Sequence, residues 1–153
     1  MRTLGNILWH FPFFGFVQAA LTWLLGLILT VTVVAAPIGR GLMEYGIFLF
    51  APFSKSMVSR KDLNEKQNEV WKAYSMVVMV IYIPFGLVLA IIAILQIAGL
   101  FASLAGIPLA IVLAKSLGTF FNPVNKKCVP RSVAQEIERR KSADAVGKHL
   151  AQG

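Results

Sequence analysis

The chain has little charge and almost no cysteine. Only 14% of its 153 residues are Asp, Glu, Lys or Arg, about half the share of a soluble domain. Acids are scarcest: seven, against fifteen Lys and Arg. Between Thr3 and Gly39 the only Asp, Glu, Lys, Arg or His is His10, and from Ala73 to Ala114 there is none. That second run is 42 residues long, twice the roughly 20 that cross a bilayer. It excludes an ordinary soluble helical domain and requires the chain to double back, with Gly106-Ile107-Pro108 as the turn. The single Cys128 excludes an internal disulfide. No H-E-x-x-H, C-x-x-C, G-x-S-x-G or phosphate-binding loop occurs, so no metal, cofactor or enzyme site is expected. The apolar N-terminal run exceeds the 7–15 residues of a signal-peptide core, so it is expected to be retained.

Taken alone, the net charge of +8 would suit a nucleic-acid partner. But twelve of the fifteen cations fall in two polar segments, 55–72 and 126–148, that flank the apolar runs. The positive-inside rule accounts for such a distribution without nucleic acid. Anionic lipid headgroups are the better partner for this basic loop and tail.

What the chain does contain is a repeat. Sliding it by 71 residues without a gap places Pro37 on Pro108 and Pro52 on Pro123. Twelve of the 45 positions from Phe14 to Val58 are then identical, including Phe14-Gly15 with Phe85-Gly86, and Lys55 with Lys126. One unit used twice is the simplest account. Each copy has an aromatic entry (Asn6–Phe11, Tyr74–Ile83), a main span (Phe14–Ala36, Phe85–Gly106) and a return (Ile38–Ala51, Leu109–Asn122). Trp9, Trp71 and Tyr74 suit the headgroup level. Pro12 and Pro84 end the entries, where proline kinks or restarts a helix. A 22-residue span covers about 33 Å, whereas a 14-residue return reaches only about 21 Å. Either the turn at Pro37 or Pro108 is submerged, or the return continues past Pro52 or Pro123.

The expected fold is all-α and integral to the membrane: two tandem helical hairpins, each with a spanning helix, a Pro turn and a short return. Repeat 1 covers 1–58, a cytoplasmic loop 59–73, repeat 2 74–129 and a cytoplasmic tail 130–153. An even number of passes puts loop 54–72 and both termini in the cytoplasm; three passes would leave a strongly basic segment outside. In the tail, Ser132 and Gln135 fit a capping box for a helix over about 133–146.

Three charges fall within the predicted membrane pieces: Arg40, Glu44 and Lys115. Ionisable groups at depth are costly unless paired or hydrated, so each is a candidate site. Glu44 and Lys115 occupy equivalent repeat positions, which suggests an ion pair, and Arg40 lies one helical turn from Glu44. Ala98, Ala102 and Gly106 form a small-residue stripe suited to close helix packing, within the chain or between copies.

At these residues the chain resembles the YccF family. The resemblance rests on Asn6-Ile7-Leu8-Trp9, Pro37-x-x-Arg40-x-x-x-Glu44 leading to Pro52, and Gly106-Ile107-Pro108 followed by Lys115 and Pro123. It spans about residues 1–130. These are small bacterial inner-membrane proteins built around a duplicated inner membrane component domain, so the resemblance implies a location in the bacterial inner membrane. It adds little about activity. The first expectation is a homo-oligomer passing ions or small solutes near Arg40, Glu44 and Lys115. The rival is a non-transporting scaffold or accessory subunit that binds a partner protein or anionic lipid.

Overall fold

The computed structural model describes residues 2–11, 14–102 and 106–150. Among them are six α-helices and one short antiparallel ribbon. The order is α1 (Arg2–His10), α2 (Gly15–Val31), α3 (Ala36–Leu49), β1 (Lys55–Ser59), α4 (Glu69–Phe101), α5 (Ile107–Phe121), β2 (Lys126–Pro130) and α6 (Arg131–Leu150). A single 3-10 turn, Arg60–Leu63, follows β1.

Proline starts both short helices. Pro37 and Pro108 each occupy the first turn, of α3 and α5, where a missing N–H costs nothing and the fixed φ favours the helix. Gly106 is buried at the N-cap of α5. Pro52 and Pro123 are fully buried just beyond the ends of these helices. Of a kink or a restart at Pro84, the restart does not occur. Pro84 lies inside α4, which runs unbroken for 33 residues. Neighbouring groups re-satisfy the backbone freed by such a proline in apolar helices. Asn68 caps this helix, its side chain accepting from the Val70 N–H at 3.1 Å.

α4 is the one helix among the described residues long and apolar enough to cross a membrane by itself. α1 and α2 pass the same test together, meeting at 80°. Much of this apolar surface is uncovered: Leu21, Leu25, Ile28, Ile81, Phe85 and Leu95 are all at least half exposed.

α2 packs on α3 and α4 on α5. The first hairpin closes on glycine. A Cβ at Gly26 would come within 2.6 Å of the Gly39 carbonyl oxygen, and one at Gly46 within 2.7 Å of Trp23. These glycines provide the close helix approach within the first hairpin, whereas Ala98 and Ala102 stay exposed. The core joins both halves: Trp9, Ala19, Tyr45, Phe48, Leu49 and Val112, with Leu109 and Phe120 against them. Trp9 is 1% exposed and its Nε1–H donates to the Leu49 carbonyl at 2.8 Å. The Tyr45 ring stacks on Phe48 at 5.9 Å and meets the edge of Phe120 at 5.6 Å.

The ribbon is the main departure from an all-α expectation. β1 and β2 pair antiparallel with Met57 opposite Cys128 at the centre, Lys55 opposite Pro130 and Ser59 opposite Lys126. The polar loop after Ser54 thus begins with a strand, followed by a 3-10 turn. The tail helix also starts earlier than its capping-box signal. β2 passes directly into α6 at Arg131, so Ser132 is a residue within the helix and not its cap.

Candidate functional site

The three candidate charges all lie on the two short helices, α3 and α5, but they do not converge. Glu44 points from α3 to β2, where its Oε2 accepts the backbone N–H of Cys128 at 2.9 Å. Its other oxygen lies 3.9 Å from the guanidinium of Arg60 on the 3-10 turn. Lys115 points from α5 to the end of the first hairpin. Its ammonium donates to the Pro52 carbonyl at 3.0 Å and lies 4.8 Å from the centre of the Phe53 ring. Arg40 lies over the face of Trp71 at 4.4 Å, a cation–π geometry.

The expected Glu44–Lys115 ion pair is not among the ion pairs of the described residues. Each side chain crosses instead to the other half of the chain, Glu44 from residues 36–49 to β2 and Lys115 from residues 107–121 to Pro52. The opposite charges follow from the backbone groups they meet. A peptide N–H needs an acceptor, which a carboxylate supplies. A peptide C=O needs a donor, which an ammonium supplies. The sharing of Glu44 with Arg40 is replaced by sharing with Arg60, a residue that sequence reasoning left in the loop.

Arg60 extends the network. It lies 3.6 Å from Glu65, which also binds Lys127 on β2. Charges therefore alternate from α3 through the turn and linker to the ribbon: Glu44, Arg60, Glu65, Lys127. The Lys127 hydrogen bond holds the Glu65 carboxyl below its ordinary range. Burial pushes the Cys128 thiol up to about 11 and lowers the Lys126 ammonium. Lys141 pairs with Asp62 at 2.6 Å, tying α6 to the same turn.

Sequence reasoning missed the partners more than the charges. Arg60, the Cys128 N–H and Pro52 lie in segments that only the ribbon brings to α3 and α5. The identities Lys55/Lys126 and Val58/Val129 were a usable signal, since they carry the repeat past the prolines and into both strands. No cluster of three or more His, Cys, Asp or Glu that could hold a metal occurs among the described residues. Two open grooves flank the ribbon. One, of about 780 Å³, runs between the 59–69 linker and the start of α4. The other, of about 660 Å³, separates the 3-10 turn from α6.

A mostly helical chain with uncovered apolar helices and charges tied to a polar ribbon is the setting for the sequence comparison. Residues 4–55 match the YccF inner membrane component domain. The match covers α1 from Leu4 onward, α2, α3 and the first residue of β1, and so includes Trp9, Pro37, Arg40, Glu44 and Pro52. Curated proteins and solved structures give no match to the chain.

Proposed function

We propose that the chain is a multi-pass protein of the bacterial inner membrane that acts as a non-catalytic scaffold or accessory subunit. Its two halves are tandem copies of one unit. Elements recur at the 71-residue offset of the sequence identities: α3 begins at 36 and α5 at 107, while β1 covers 55–59 and β2 126–130. The uncovered apolar faces of α2 and α4 suit lipid, and the basic ribbon, linker and α6 suit the cytoplasmic side. The domain match to residues 4–55 supports the same location.

The observation that carries the scaffold role is that all three intramembrane charges already have partners in the chain. Glu44 holds a backbone N–H, Lys115 a backbone carbonyl, and Arg40 an indole face. A conduit that selects by charge turns its charged side chains toward the solute. Glu44 docks the first hairpin on the ribbon, Lys115 docks α5 on the end of that hairpin, and Arg40 docks α3 on the start of α4.

Reconstitution separates the two roles. Purified protein in sealed vesicles is assayed for flux of protons, potassium, chloride and small polar solutes. In parallel, Arg40→Cys, Glu44→Cys and Lys115→Cys are made in a Cys128→Ser background and treated with charged thiol reagents. The scaffold role predicts no flux above empty vesicles and slow labelling at 44 and 115. Flux together with rapid labelling at those positions would establish instead a homo-oligomer with a hydrated path past the three charges.

A further inference from the structure

We infer that the groove between the 59–69 linker and α4 is a binding site for one anionic phospholipid, a proposal that rests on the membrane location given above. The groove is lined by two kinds of side chain: the lysines Lys61, Lys66 and Lys72, and the apolar Met76, Met79 and Val124. All three lysines are exposed, and none is in an ion pair among the described residues. Glu65 and Glu69 also border the groove. Glu65 is occupied by Arg60 and Lys127, and Glu69 lies in the first turn of α4, where the helix dipole favours it. Lys72 is the last charged residue before the 42-residue uncharged run. Along α4, Lys72 therefore lies where the headgroup layer begins, and Met76 and Met79, one and two turns further on, where acyl chains begin. The volume, about 780 Å³, is within the range of small-molecule sites.

The repeat explains why the groove is open. The 71-residue counterparts of Met76 and Val124 are Gly5 and Phe53. In the first half these two are in contact, and a Cβ at Gly5 would fall 2.7 Å from the Phe53 ring. Asn6 seals the same junction, donating to Ser54 Oγ at 3.0 Å and accepting from the Phe53 N–H at 3.1 Å. α1 thus fills on the first turn the place that stays open beside Val124 on the second. α4 runs on without the break between α1 and α2, so its Met76 face stands off the 122–125 turn. Asn6 has the apolar Val77 as its counterpart, which cannot form the seal.

Charge selects the occupant. The α1 helix of a second copy would have the right shape, but it contains no acid to meet three lysines. An anionic headgroup complements them, and an acyl chain suits flexible methionines.

The test uses the full chain, delipidated in detergent, with native mass spectrometry reading bound lipid. Dioleoyl phosphatidylglycerol and dioleoyl phosphatidylcholine are added at equal concentration. The expected result is one tightly held phosphatidylglycerol and no comparable phosphatidylcholine. The Lys61→Gln, Lys66→Gln, Lys72→Gln triple variant should weaken that binding by tenfold or more, at roughly fivefold for each lysine near the headgroup. A tail control with the same charge loss, Arg139→Gln, Arg140→Gln, Lys148→Gln, should leave it unchanged. Met76→Trp narrows the groove without altering charge and should also weaken it; Met76 is more than half exposed, so the change spares the core. Equal loss in the tail control, or unchanged binding in Met76→Trp, would mean diffuse surface attraction and would overturn the site. Equal competition by soluble glycerol phosphate would overturn the lipid as its source. A fall in oligomer mass in Met76→Trp would assign the groove to a second copy. Flux measured on the same preparation keeps the questions separate: a conducting protein that holds one phosphatidylglycerol sinks the scaffold role and leaves the groove standing.

Discussion

Replacing Glu44 by alanine removes both the acceptor of the Cys128 N–H and the anion facing Arg60. The two losses differ in size. The Glu44 side chain is 21% exposed, and its hydrogen bond at 2.9 Å uses an ionised acceptor. Such bonds contribute about 1.5–3 kcal/mol. The Arg60 contact is longer, at 3.9 Å, and both partners reach water, so it contributes at most about 1 kcal/mol. Glu44→Ala should therefore cost about 2–4 kcal/mol. Glu44→Gln keeps a neutral acceptor and should cost about 1 kcal/mol. Arg60→Ala should cost less than Glu44→Ala, with a coupling of under about 1 kcal/mol in the double-mutant cycle. The assay is the unfolding midpoint in one detergent, read by tryptophan fluorescence. If Glu44→Gln is as damaging as Glu44→Ala, the carboxylate acts through charge and not through the ribbon. If Arg60→Ala matches Glu44→Ala, the ion pair and not the peptide bond is the main contact.

Acid should loosen the ribbon through Glu65. Its folded value lies below the ordinary 4.5, so the stabilisation is present above that value and lost as pH falls through the depressed one. Glu65→Gln should flatten the acid limb of a midpoint-versus-pH curve and leave neutral pH less affected. Gly41→Ala should reduce recovery of monodisperse protein, since its Cβ would lie 2.0 Å from the Pro123 carbonyl oxygen; overpacking of this kind costs about 1–3 kcal/mol. Gly99→Ala, with nothing within 4 Å, is the matched neutral change. Cys128, with its thiol pushed to about 11, should react slowly with iodoacetamide at pH 8 and fast once the protein is unfolded, as a mass-shift time course would show.

The helices were legible because they are long apolar runs punctuated by proline. Pro37 and Pro108 sit in the first turns of α3 and α5, and Pro52 and Pro123 follow their ends. The charges Arg40, Glu44 and Lys115 were also visible, as exceptions to an uncharged background. Their partners were not. Lys55–Ser59 and Lys126–Pro130 are five residues each, polar and short, and neither has a local partner. A strand of that kind is defined by its pairing, which spans 71 residues from Met57 to Cys128. Without the ribbon, nothing in the sequence brings Arg60 or the Cys128 N–H to Glu44. The unbroken α4 was missed for a related reason. Proline is read as a break by local rules, while a helix in apolar surroundings has no water to take up the freed backbone and stays helical.

The pairing of Met57 with Cys128 also fixes an order of events during synthesis. β1 leaves the ribosome 71 residues before the matching position of β2. At about 5–20 residues per second, that is a wait of roughly 4 to 14 s. Throughout it Glu44 has no ribbon N–H to accept, and Lys115 follows Pro52 only after 63 residues. The first hairpin must therefore wait with its acid held by Arg60 or by water. The second hairpin arrives carrying both missing partners, and the nascent chain closes like a clasp only when Cys128 emerges.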